Sequence, residues 1–406
     1  MGTRASPVIS VVLVFIGVPP HSRRGLTRDK DRVLRRHRLP MSRGLVMIRR
    51  PKYFALLTVV GLSVLGASCA SLEEDRGPQG VLAPGDPARP VMAAVETVVT
   101  TDTAVDADDP ALWADPADPS RAVMFGTDKS DGLYVHNLDG TVRQFLPSGP
   151  VNNVDLRAGF PTPQGERVLV AASNDAPGAN GVNLYLFDPA TLATVDYGFH
   201  ATPYEPYGFC VGRRGDDFHI VVTTKAGTVH QMTVVAGPTG PVIGAPRVLT
   251  LGSQLEGCVV NDAADTLYVG EEDVGVWRFD FDPAGSGTPT EIARVDRIRI
   301  RDDVEGLSIM RDGGVEYLIV SSQGDSTYPV YRIEGDGHVY LGRFAIVDGP
   351  VIDGVTSTDG LDAFSGPIGP FPQGAVAFHD DIDSPNPGQQ NYKIVDWRDI
   401  KAALGL

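Results

Sequence analysis

Tyr207, Glu256 and Glu305 recur at a constant spacing of 49 residues, each followed by glycine. Similar runs, an acid or aromatic leading into small and apolar residues, start at Asp109, Asp155 and Asp359. A second apolar run follows each and ends in a polar residue: Lys129, Asn174, Lys225, Glu272, Gln323 and Asp380. Glu256, Glu272, Asp303, Glu305, Asp353 and Asp359, with Asp108 and Asp109, form a set of oxygen donors that contains no His or Cys. Such donors suit hard cations, and calcium takes six to eight of them in irregular geometry. Lys129, Arg157 and Lys225 supply positive charge beside them. Carboxylates, metal and cations together describe a site for a polyanionic oxygen ligand, and phosphate fits best.

The elements that must carry these residues are short. No stretch after residue 96 sustains a long 3.6-residue apolar period, and β-rich runs alternate with Gly, Asp and Pro turns. A third strand follows each pair of runs, as in GLYVHNLDG, VGVWRFDFD and NYKIVDW. Six units of roughly fifty residues, each with at least three strands, predict an all-β, six-bladed β-propeller. Equivalent blade positions form rings around the axis, so the two polar sets converge on one mouth of the channel. Within LYVGEEDVGVWRFD, Glu272 aligns with Lys129 and Lys225, while strand alternation turns Glu271 away and Asp273 opens a turn. Cys210 and Cys258 occupy equivalent positions in consecutive blades. They are either a disulfide or two buried thiols acting as small hydrophobes.

The charge is unevenly distributed. Residues 1–52 carry +11 and the remainder −27, within a net −16. A body that acidic repels nucleic acid and attracts cations. Met47–Lys52 is a basic segment, Tyr53–Gly66 an apolar run too short to span a bilayer, and Ala67–Ala70 a small-residue cleavage region. Residues 47–70 thus read as an export signal, with Cys69 as a lipidation point or free secretion as the alternative. Residues 1–46 read as an over-extended start or non-structural N-terminus, 71–95 as a flexible tether, and 96–404 as the propeller. An extracellular or periplasmic monomer follows, with no transmembrane span in the mature body. No GxSxG elbow, HExxH pair or Walker loop is present.

DADDPALWAD, GTDKSDGLYV, NNVDLRAGFP, EPYGF, QLEGC, LYVGEEDVGVWRF, DVEGLSI, the TDGLD after Asp353, and QNYKIVDW are similar to motifs of the β-propeller phytases, the alkaline, calcium-dependent phytases. The resemblance runs from about residue 96 to 404. It implies a six-bladed propeller and hydrolysis of the phosphomonoesters of myo-inositol hexakisphosphate, of the 3-phytase type, by a water bridged between several calcium ions. It also implies phosphate binding by Lys129, Arg157, Tyr207 and Lys225, and metal binding by Glu256, Glu272, Asp303, Glu305, Asp353 and Asp359, to which the residue pattern adds Asp108 and Asp109 as candidate ligands. Glu256, Glu272, Asp359 and Arg157 would carry the chemistry. Asp128 and Ser130 flank Lys129 where some members have a second Lys, and the two cysteines are not general to the family. Two alternatives share the fold: a calcium-dependent lactonase or arylesterase, and a non-catalytic binding propeller on the cell surface.

Overall fold

The computed structural model describes residues 85–98 and 107–406, except 385 and 387. The readings for residues 1–84, namely the extended start, the export signal with Cys69 and most of the tether, lie outside the described residues. Six sheets follow one another along the chain. Their innermost strands are Ala107–Ala114, Val151–Thr162, Phe209–Arg214, Leu255–Asn261, Val304–Asp312 and Leu361–Ser365, in blades 1 to 6. Each of these touches the next and the sixth touches the first, which closes the ring. No described helix is long and apolar enough to cross a membrane.

The N-terminal segment closes the propeller from outside. Val95–Glu96 pairs antiparallel with Lys393 and Ile394 and completes blade 6. Arg89–Val91 lies parallel to Phe344–Ile346 as a fifth strand on blade 5. The tether reading therefore does not hold over 89–95. Its Pro90 lacks a donor, but a strand at the outer edge of a sheet tolerates that.

Among the described residues, apolar side chains form six clusters, each wedged between two neighbouring blades. Between blades 1 and 2, for example, Trp113 meets Phe187 edge to face at 4.8 Å, over Val123, Val154 and Val170. Both faces of every blade are covered. The middle strands therefore read as continuous apolar runs rather than alternating ones.

Polar staples also cross the seams. Asp109 Oδ2 accepts from the backbone N–H of Val154 at 3.0 Å, and Asp155 Oδ2 from Val211 at 2.8 Å. Asp362 Oδ2 accepts from Leu112 at 2.7 Å, and Ser308 Oγ from Ala363 at 2.9 Å. Across the seam of blades 3 and 4, Cys210 and Cys258 are joined in a disulfide, with Cα atoms 5.6 Å apart. A cross-link closing a 48-residue separation is worth about 4 kcal/mol on the chain-entropy estimate.

Glycine beside the ring residues is a requirement of these seams. A Cβ on Gly257 would lie 2.2 Å from the carbonyl oxygen of Glu305 in the next blade. Gly257→Ala is expected to cost about 1–3 kcal/mol, read from the urea midpoint. An unchanged midpoint contradicts the close approach.

Candidate functional site

Strand register defines the ring. In blades 1, 2, 4 and 5 the pairing of the innermost strand slips at a bulge, between Ala107 and Pro110, Val151 and Val154, Leu255 and Cys258, and Val304 and Leu307. A bulge re-aims a side chain. The first bulged residue in each case is Asp108, Asn152, Glu256 or Glu305. Tyr207 and Asp359 hold the same place just before the innermost strands of blades 3 and 6. The first ring is therefore Asp108, Asn152, Tyr207, Glu256, Glu305 and Asp359. Asp109 and Asp155, expected in it, lie deeper and serve the seams. By the same register the second ring is Lys129, Asp175, Lys225, Glu272, Gln323 and Asp381, each one residue past the pair of the position before the first ring. Asn174 and Asp380, expected there, are one residue out. Asn174 bonds Ser148 and Asn183 instead, and Asp380 faces Lys393.

The acidic half of the mouth comes from blades 4 to 6 and blade 1. One oxygen from each of Glu256, Glu272 and Glu305 lies within 4.8 Å of the other two. These residues are 4%, 8% and 4% exposed. Burial, then the charge of neighbours, raises the pKa of Glu272 to about 7 and that of Glu305 well above the carboxylate range. Gln254 donates to Glu272 Oε1 at 2.7 Å, whereas Glu305 Oε2 is buried and meets no donor among the described residues. A cation fits this donor set: three buried carboxylates converge, and one of them carries an oxygen with no donor among the described residues. Glu271 points the other way, where Gly252 N, Ser253 Oγ and Trp277 Nε1 saturate it within 3.0 Å. Asp303 joins Asp273 and Asp302 in a second, more exposed acidic group.

Asp359 sits between the halves. Gln323 donates to its side chain and His379 Nδ1 accepts from its backbone N–H at 3.1 Å. Burial, then Asp108, pushes the Asp359 carboxyl well up. Burial and then Lys129 lower His379 to about 3, so the ring is neutral.

The basic half comes from blades 1 and 3. Lys129 Nζ lies 2.6 Å from Asp108 Oδ2 and 3.8 Å from Asp359 Oδ2. Lys225 stands over the Tyr207 ring at 4.3 Å and pairs with the exposed Glu205 at 3.3 Å. Burial, then the charges of Glu256, Glu305 and Glu272, keeps the Tyr207 phenol protonated far above its ordinary range. Asp175, on the blade between the two lysines, interacts with both. Only strand register, hidden in sequence by the bulge in its blade, reveals it.

Besides Asp109, two expected site residues are not brought to this group. Arg157 stands opposite Leu169, five residues past Asn152, roughly 15 Å down the channel. It pairs with Asp155 and Asp262 at 2.9 Å each, lining a channel cavity of about 440 Å³. Asp353 meets the buried ammonium of Lys393 at 2.5 Å and the backbone N–H of Ser384 at 2.6 Å. Lys393 also reaches Glu96 at 2.9 Å and Asp380 at 3.1 Å, so this cluster contains its own cation.

A family model described as phytase matches residues 55–406. The chain belongs to the phytase family. The 3-phytase of Bacillus subtilis (strain 168) is 36% identical over 312 residues, 74% of this chain and 81% of that protein. Membership makes the chain a phytase and displaces the lactonase and binding-propeller alternatives. Solved structures that match include the RRP9 WD40 repeats (TM-score 0.42, 8% identity, 75% of this chain and 99% of that one). Another is BBS1N in complex with ARL6DN (TM-score 0.41, 14% identity, 73% and 79%). At those scores they add no argument.

The enzyme's acid group has a pH signature. Glu272 binds its proton more tightly folded than unfolded, so between about 4.5 and about 7 the folded state holds more protons. Stability therefore falls as pH rises through that window. In chelator the thermal midpoint is expected to drop from pH 5 to pH 8, and calcium is expected to abolish the drop. A midpoint in chelator that is flat across the window contradicts the raised pKa.

Proposed function

We propose that this phytase releases phosphate from myo-inositol hexakisphosphate in a calcium-dependent reaction at the mouth described above. The observation that carries the reading is the juxtaposition of a buried three-carboxylate group with two lysines and a protonated tyrosine. Glu256, Glu272, Glu305 and Asp359 would hold calcium, with Asp108 beside Lys129 and Asp303 in the outer acidic group as further ligands. Bound there, calcium neutralises the carboxylates, polarises phosphoryl oxygens and acidifies water.

The chain's own residues divide the remaining work. Lys129 and Lys225 bind phosphate oxygens, with Lys225 exchanging exposed Glu205 for the substrate. Tyr207, kept as a neutral phenol, donates one hydrogen bond and does not repel the anion. The His379 contact to the backbone of Asp359 holds that carboxylate at the boundary between the two halves. Arg157 is left out because its guanidinium is engaged below the mouth. The proposal includes export through residues 47–70, with lipid attachment at Cys69 or free secretion as routes, and action as a monomer. The Cys210–Cys258 bond supports an oxidising compartment.

Phosphate release from phytate is expected with calcium and not with a chelator. Lys129→Ala and Lys225→Ala are each expected to lower kcat/KM about 10–100-fold, the worth of one charge-assisted hydrogen bond. Chelator-insensitive release, or wild-type kcat/KM in both variants, contradicts the proposal.

A further inference from the structure

Tyr207 and Glu256 are neighbours in the ring, yet they belong to different blades. Their relative position depends on the seam of blades 3 and 4. The approach there is close: a Cβ on Gly208 would lie 1.8 Å from the Glu256 carbonyl oxygen. Thr223 Oγ1 donates to that same oxygen at 2.6 Å. A small slide of one blade against the other would therefore move Tyr207, and with it Lys225 over its ring, away from the carboxylates.

The two preceding seams resist such a slide with acids. Asp109 grips blade 2 and Asp155 grips blade 3, each through a backbone N–H just below the ring. Register makes Cys210 the counterpart of Asp155, since both lie two residues past the residue next to the ring, Gly208 or Asn153. At this seam the place of an acid staple is taken by a covalent bond. It joins Cys210, three residues from Tyr207, to Cys258, two residues from Glu256. The next bond from a side chain to backbone down the seam is Asp262 accepting from Arg213 N at 2.9 Å, at the far end of both strands. A carboxylate at position 210 would add another negative charge beneath Glu256, Glu272 and Glu305. The disulfide fixes the seam without adding charge to a group already crowded with it.

We infer that the Cys210–Cys258 disulfide is a positioning element of the site, holding Tyr207 and Lys225 in register with the carboxylates of Glu256, Glu272 and Glu305. The inference rests on the calcium reading given above. It makes the bond matter for ion and phosphate binding, beyond its contribution to folding.

The test compares wild type, Cys210→Ala/Cys258→Ala, Cys210→Val/Cys258→Ala and Asp262→Ala. The valine form fills the space left by sulfur in case the alanine pair does not fold. Asp262→Ala loosens the same seam away from the ring. Calcium binding to the substrate-free protein is measured by titration calorimetry, with thermal midpoint, kcat and KM for phytate alongside. The disulfide variants are expected to bind calcium at least five-fold more weakly and to lose kcat/KM with a raised KM. Asp262→Ala is expected to lower the midpoint and keep wild-type calcium affinity. Wild-type calcium affinity and KM in a folded disulfide variant overturns the inference. So does an equal loss in Asp262→Ala, or failure of both disulfide variants to fold, which makes the bond a requirement of the fold alone. A wild-type protein that binds no calcium overturns instead the reading on which the inference rests, and is told apart because the wild type itself then departs.

Discussion

Three carboxylates that share one buried space repel each other, and that repulsion organises the structure. Glu256, Glu272 and Glu305 are each more than nine-tenths buried and have converging oxygens. Burial alone penalises their ionised forms, and proximity adds to the penalty. A fold gains nothing in stability from such a group. Holding it in place requires rigid neighbours, and it becomes favourable only when positive charge enters.

The propeller supplies that rigidity by placing one residue from each blade at the same height. Glu256 and Glu272 come from blade 4 and Glu305 from blade 5, so the group is held together across a blade seam. The blades in turn are locked by apolar wedges, by seam staples such as Asp109 and Asp155, by the disulfide, and by the N-terminal strand completing blade 6. The division of the mouth follows the blade order. Blades 4 to 6 contribute acids, blades 1 and 3 contribute lysines, and Asp108 meets Lys129 where the two halves join. A phosphorylated ligand can then face cations of the protein on one side and the carboxylate group with its ion on the other. Elsewhere the same electrostatic problem has a different solution: Glu96, Asp353 and Asp380 converge on Lys393, an internal cation, and need no external one.

The fold was legible because the blades repeat both a length and a glycine. Blades 3 to 5 keep a spacing of 49 because Gly208, Gly257 and Gly306 all meet the next blade's backbone too closely for a side chain. Glu272 was legible too, since strand alternation separates it from Glu271. The ring slipped in blades 1 and 2, where Asp109 and Asn153 replace that glycine and a bulge hides the count. Asp108 and Asn152 were then displaced by Asp109 and Asp155, and Asp175 and Asp381 by Asn174 and Asp380. A slip of one residue turns a side chain to the opposite face, so a small misalignment changes the role assigned. Arg157 misled for a related reason: proximity in sequence to the ring does not keep a residue at the mouth when the strand runs down the channel. The partner of Asp353 was hidden because Asp353 lies in a loop and Lys393 is 40 residues away, in a strand of blade 6.

The central claim is that Glu272 is held in an environment hostile to its own charge. Glu272→Gln keeps the shape and the bond from Gln254 while removing that charge. The decisive measurement is the unfolding free energy of this variant against wild type at pH 8, in chelator and in calcium. The account predicts that in chelator the variant is more stable, by about 1–3 kcal/mol, because a carboxylate whose pKa is raised by the fold destabilises that fold when ionised. In calcium the order reverses. A variant less stable than wild type in chelator contradicts the account.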